Sequence, residues 1–188
     1  KALVMGVRDY VNNNNFPGVV LGMSGGIDSA LVAAIATDAL GPELVKAIMM
    51  PSPYTSKDSL EDAKNASSKL GIEYSDLDIK DGMRVIENIL QDFEGPFVKS
   101  GIAEENIQSR LRGLVLMAIS NKYGPMVLAT GNKSEYAVGY ATLYGDMCGG
   151  FAVIKDLWKT QVFALCKWRN LNKPEDFLGP DGIVIPER

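Results

Sequence analysis

The residues best suited to chemistry are Ser24-Gly25-Gly26-Ile27-Asp28-Ser29, a turn between an apolar run and an alanine-rich helical pattern. Gly25 and Gly26 permit positive φ and let backbone approach a ligand with no Cβ in the way. The free N–H groups opening the following helix, at its positive dipole end, favour an anion. Ser24 and Ser29 add hydroxyl donors at the same place. Together these features make a phosphate cradle. The plainer reading, a tight turn with Asp28 capping the helix dipole, does not account for the strand–turn–helix setting.

The cradle lacks a Gly-Lys-[Ser/Thr] ending and GxGxxG spacing, which excludes a Walker A loop and a dinucleotide fingerprint. It carries Asp28 instead. A carboxylate beside phosphate is repelled unless a cation lies between them, so Asp28 implies Mg²⁺. The chain has no histidine, so any catalysis must proceed without the most common general base. Cys148 and Cys166 form no CxxC pair and read as reduced thiols of a cytosolic protein. The net charge of −4 and pI near 4.9 count against a nucleic-acid partner. They leave room for a local basic pocket. No apolar run reaches the roughly 20 residues of a membrane-spanning helix.

The elements that must hold this turn follow from the patterning. With 188 residues, 46% hydrophobic and 22% charged, the chain suits one α/β domain with a core of its own. Strands are expected at residues 18–22, 44–50 and 126–130. A third, at Ile72, Tyr74, Leu77 and Ile79, has a slip in its alternation. Helices are expected at residues 29–40 (buried all round), 56–70 with Gly71 as its cap, 82–92 with Phe93 continuing the spacing, 104–123, and 159–169. On the long helix the predicted core stripe is Ile107, Leu111, Leu114, Val115, Ala118 and Ile119. Asn106, Arg110, Gly113 and Met117 fall off that stripe, placing Arg110 to meet an anionic ligand. Residues 139–150 and those after Asn170 read as loops. Strands alternating with helices predict a doubly wound parallel sheet with helices on both faces.

The loop Ser24-Gly25-Gly26-Ile27-Asp28-Ser29 resembles the pyrophosphate loop of the N-type ATP pyrophosphatases, which transfer AMP to a substrate oxygen. Three further segments are similar to NAD⁺ synthetases, especially the synthetase domain of the glutamine-dependent type. These are Thr130-Gly131-Asn132-Lys133-Ser134-Glu135, residues 106–113, and residues 144–161 with Tyr144-Gly145-Asp146 and Ala152-Val153-Ile154-Lys155-Asp156-Leu157-Trp158-Lys159.

The resemblance implies that Leu21, Gly22, Met23, Ser24, Gly25, Gly26, Ile27, Asp28, Ser29, Thr130 and Lys159 bind ATP, with Asp28 and Lys159 catalytic. It implies Mg²⁺ on Asp28 and Glu135. It assigns Asn106, Arg110, Glu135 and Asp146 to nicotinic acid adenine dinucleotide (deamido-NAD⁺). By themselves Glu135 and Lys159 read as surface charges. Lys155 stays open between substrate contact and salt bridge, and Trp158 and Trp168 read as core or interface. The implied reaction is amidation of deamido-NAD⁺ through an acyl adenylate, with ammonia free or from glutamine. The implied setting is a cytoplasmic homodimer or higher oligomer, in which residues 1–188 are one domain of a longer chain with a preceding amidase. A GMP synthetase is the rival among enzymes, and an adenine-nucleotide sensor the rival without catalysis.

Overall fold

A computed structural model describes residues 1–91 and 101–186. The chain opens with helix α1 (Ala2–Asn13), which the sequence reading did not expect. Its inward residues Val4, Val7 and Val11 keep helical spacing and pack on the core. Strand β1 (Val19–Gly22) leads through the glycine turn into α2 (Ile27–Leu40), which is buried from Ser29 to Leu40. Gly41, at φ 88°, stops that helix. Then come β2 (Val45–Met49) and α3 (Lys57–Leu70). Ser56 caps α3 by accepting the Ser59 N–H at 3.1 Å, and Gly71 ends it in the left-handed region, as expected.

The third strand, β3 (Glu73–Asp76), is shorter than its apolar residues suggested. Ile72 and Ile79 are buried just outside it, while Leu77 is 39% exposed. The slip in alternation marks where the strand ends, although Leu77 and Ile79 still donate to the Met49 and Pro51 carbonyls. Helix α4 (Lys80–Leu90) follows, and the predicted continuation to Asp92 and Phe93 lies outside the described residues. Helix α5 (Ile102–Tyr123) is stopped by Gly124 at φ 93°. The remaining elements are β4 (Met126–Ala129), α6 (Lys133–Val138), β5 (Phe151–Ala152) and α7 (Lys159–Leu171). The short α6 and β5 were not expected, since a run of six or two residues carries no periodicity to read.

The five strands are all parallel, in the order β3-β2-β1-β4-β5. One face of the sheet, with Val19, Leu21, Val45, Ala47 and Leu128, packs against α1, α2, α3 and α7. The opposite face, with Val20, Ile48 and Val127, packs against α4 and α5. The doubly wound expectation therefore holds. The stripe on α5 needs correction. Ile107, Leu111, Val115 and Ile119 do face the sheet, and so does Met117, which was expected off the stripe, but Leu114 is 65% exposed and Ala118 is exposed too. Leu116 is the buried apolar residue of that helix instead. The chain winds outward from β1 to β3 and then returns to the other side of β1 for β4. That reversal opens a crevice at the carboxyl ends of β1 and β4, where the ligands of such sheets bind.

Candidate functional site

The glycine turn occupies the carboxyl end of β1, at the mouth of this crevice. Gly25 has φ 80°, and a Cβ there would come within 2.2 Å of the Ser59 carbonyl oxygen of α3. Only glycine fits between the loop and that helix. Both serines work on the loop itself. The Ser24 hydroxyl accepts the Gly26 N–H at 3.1 Å and lies 3.1 Å from the Ser29 hydroxyl. Ser29 is 2% exposed and donates to the Gly26 carbonyl at 2.9 Å. Ser29 thus shapes the cradle from within, while Ser24 is exposed to the crevice. No side chain caps α2 at Gly26, so its first-turn amides have no capping side-chain acceptor.

Two separate segments converge on Asp28, in the first turn of α2. Its Oδ1 accepts from Asn132 Nδ2 at 3.0 Å, and its Oδ2 pairs with the Lys159 ammonium. Asn132, fully buried, caps α6 in a reciprocal box with Glu135. The Asn132 N–H donates to Glu135 Oε2 at 2.9 Å and the Glu135 N–H donates to Asn132 Oδ1 at 3.1 Å. One asparagine therefore holds both predicted metal carboxylates in place. Lys159 is the first residue of α7, and its N–H donates to the Ser134 hydroxyl at 2.9 Å. Sequence reasoning quoted Asn132 within its motif but gave it no role. The capping-box spacing Asn-x-x-Glu was the signal that could have found it.

Beside this cluster lies a cavity of about 580 Å³, within the usual size range of small-molecule sites. Of the residues the sequence assigns to ligands, Gly22, Met23, Ser24, Thr130 and Asp146 line it, whereas Leu21, Gly25, Gly26, Ile27, Asp28, Ser29, Asn106, Arg110, Glu135 and Lys159 are not on its walls. Its apolar floor is Ile48, Met49, Leu116, Leu128 and Ala129. Tyr54, Gln108 and Arg112 also line it, and the sequence reading missed all three. From α5 the cavity is lined by Gln108, Ser109, Arg112, Gly113 and Leu116, so Gly113 of the predicted face reaches it and Arg110 does not.

Asn106, Arg110 and Asp146 are brought together by the 139–150 loop. Thr142 donates its hydroxyl to Asn106 at 2.9 Å and its N–H to Asp146 Oδ1 at 2.8 Å. The Asp146 N–H donates to the Ser109 hydroxyl at 2.9 Å, and Arg110 Nε donates to the Leu143 carbonyl at 3.2 Å. Gly113 lets this loop lie against α5, since a Cβ there would be 2.8 Å from the Gly145 oxygen. Lys155 forms a surface salt bridge with Asp156 at 3.0 Å. Trp158 and Trp168 are 45% and 42% exposed, so neither belongs to the core. Both cysteines are free thiols, as expected. No helix among the described residues is long and apolar enough to cross a membrane.

Comparison with known proteins agrees with this architecture. The NAD synthase family model matches residues 1–183. The glutamine-dependent NAD(+) synthetase of Thermotoga maritima is 52% identical over 98% of this chain, which spans 32% of that protein. The Acinetobacter baylyi protein of the same name is 52% identical over the whole chain, which spans 33% of it. The chain thus covers about a third of these relatives. Among solved structures, the glutamine-dependent NAD+ synthetase of Acinetobacter baumannii in complex with ADP superposes with a TM-score of 0.91. It is 51% identical over 99% of this chain and 34% of its own. The NH3-dependent NAD synthetase of Campylobacter jejuni gives a TM-score of 0.82 at 36% identity, covering 94% of this chain and 73% of that one. A switch-point crevice bearing this loop, matched along nearly its full length, leaves one conclusion: the chain belongs to the NAD synthase family.

Proposed function

We propose that this chain carries out the ATP-dependent amidation of deamido-NAD⁺ to NAD⁺, releasing AMP and pyrophosphate. The observation that carries this reading is the convergence of Asp28, Asn132, Glu135 and Lys159 beside a glycine turn that opens α2 with no side-chain cap at Gly26. The ADP held by the Acinetobacter baumannii relative supports a nucleotide in this crevice.

A substrate carboxylate is a poor electrophile, because ammonia would have to expel an oxide. One of its oxygens attacks the α-phosphorus of ATP, and the bond to pyrophosphate breaks. Ammonia then attacks the acyl carbon, AMP leaves with the bridging oxygen, and a proton passes to solvent. The protein must hold two anions in line and offset charge on the departing pyrophosphate. The α2 amides and Lys159 meet that need without a histidine. In this reading Lys159 exchanges Asp28 for a phosphate oxygen when nucleotide binds. Asn106, Arg110 and Asp146, with the loop they anchor, hold deamido-NAD⁺, and Glu135 contributes to that side.

Asp28 and Glu135 fit Mg²⁺. They are hard oxygen donors tied to one asparagine, and Mg²⁺ commonly takes one or two carboxylates plus phosphate oxygens and waters. No group of three or more His, Cys, Asp or Glu suited to a metal occurs among the described residues. When bound, the ion would neutralise the phosphate oxygens.

We further propose a homodimer or higher oligomer in the cytoplasm, acting as one domain of a larger glutamine-using enzyme. Exposed apolar residues on α4 and α5, among them Val85, Ile89, Leu90 and Leu114, support a covered face.

The test is formation of NAD⁺ and AMP from ATP, Mg²⁺, deamido-NAD⁺ and ammonium, with xanthosine monophosphate as the rival acceptor. Turnover with the latter alone would overturn the assignment. D28A and E135A should each lose about 10²–10³ in rate. Near-normal turnover of either at saturating Mg²⁺ would remove the metal assignment.

A further inference from the structure

Arg112 is the cation of the cavity that the mechanism above does not use. It lines the cavity from α5 and is half-buried. Its Nε donates to the Met50 carbonyl at 3.1 Å, and among the described residues no carboxylate pairs with it. Burial works against its charged form with nothing offsetting it. A partly desolvated guanidinium with open N–H groups is costly to keep unless an anion completes it.

Its position narrows which anion. Met50, whose carbonyl fixes Arg112, and Leu116, one helical turn along α5, both pack under Gly22. Their Cε and Cδ1 atoms lie 3.4 Å from where a Cβ of Gly22 would sit. Arg112 therefore stands where the apolar floor meets the start of the phosphate loop. A nucleotide with its ring on that floor and its terminal phosphates on the loop amides must carry its α-phosphate across this junction.

We propose that Arg112 binds the α-phosphate of the nucleotide, through the N–H groups left open by its bond to Met50. The inference rests on the nucleotide reading above. The same contact serves ATP and the AMP moiety of the acyl adenylate, so one residue holds the phosphorus through attack and release. Arginine suits the task because its fork meets two phosphate oxygens at once.

Calorimetric titration of the full chain with ATP, AMP, adenosine and inorganic pyrophosphate tests it. R112Q should weaken ATP and AMP about 10–100-fold, R112K less, and both should leave adenosine and pyrophosphate unchanged. Thermal unfolding checks that each variant is folded, and R112K carries the comparison if R112Q is not. Losses under about threefold for ATP and AMP overturn the inference while the nucleotide reading stands. An equal loss for adenosine also overturns it, since Arg112 would then act only by holding Met50. Failure of the unsubstituted chain to bind ATP refutes the nucleotide reading and this inference together.

Discussion

Helices α2 and α7 are joined twice. At their N-terminal ends Asp28 pairs with Lys159 in the candidate site. Ten residues further along each helix, roughly 15 Å at the usual rise, Asp38 pairs with Arg169. This second pair is bidentate, at 2.6 and 2.7 Å, with side chains 2% and 4% exposed. Arg169 also donates to the Pro180 carbonyl at 2.8 Å, fastening the C-terminal segment to the same junction, while its Nη1 has no partner. Burial pulls the Asp38 carboxyl above its ordinary range, and the bond to Arg169, which pulls it down, does not fully offset this. The pair is thus costly to desolvate and costly to halve.

D38N keeps the shape but leaves the guanidinium buried without a counter-charge. Removing one partner of a buried pair costs about 3–5 kcal/mol. In a domain of this size each kcal/mol moves the melting temperature by about 2–4 °C, so D38N should lower it by roughly 6–20 °C. Replacing both residues by apolar ones of similar volume, as in D38L with R169M, should recover most of that loss. The measurements are scanning calorimetry and urea unfolding of the two single variants and the double. The reasoning fails if D38N shifts melting by less than about 3 °C, or if the double variant loses the sum of the singles.

Two further outcomes follow from local geometry. G25A must bear a left-handed conformation, at about 1–2 kcal/mol, and push the loop off the Ser59 carbonyl. It should weaken ATP binding tenfold or more in titration calorimetry, and unchanged binding would show that the loop does not need its present path. Burial, aided by the Asp28 charge, pushes the Cys166 thiol up to about 12 from an ordinary value of 9.0. The folded thiol is the weaker acid, so its contribution to stability is complete below pH 9 and is lost as pH rises toward 12. Urea midpoints of C166A should therefore fall less than those of the unsubstituted chain across that window, and parallel curves would refute the shift.

The frame of the fold was legible because its signals are local and strong. β1 and β4 are apolar runs, and β2 is one broken only by Lys46, all of the length buried parallel strands need, and Gly41, Gly71 and Gly124 stop the helices before the next element. Helix α1 was missed although Val4, Val7 and Val11 are spaced as a helix face. The error on α5 has an identifiable cause. That helix has apolar residues on most of its circumference, so periodicity alone cannot choose between Leu114 and Leu116. The choice is made by Gly22 and Met50, more than 60 positions away in sequence, against which Leu116 packs.

The site was legible to the extent that its chemistry resides in a contiguous motif. The Ser-Gly-Gly-x-Asp-Ser turn declares itself because the conformation, the helix terminus and the acid all fall within six residues. Asp28, Asn132, Glu135 and Lys159 come from three segments, and each alone reads as an ordinary cap or surface charge. Their meeting depends on β1 and β4 being neighbours, Val19 against Met126 and Leu21 against Leu128, which no local spacing encodes. Arg112 stayed hidden for the same reason. On α5 it lies only two positions from Arg110, about 200° around the helix. Only the packing of that helix on the sheet decides which arginine faces the crevice and which meets the 139–150 loop. Sequence can thus name a candidate phosphate-binding turn, but the distant cations near it, Lys159 and Arg112, emerge only when strand order brings their helices alongside.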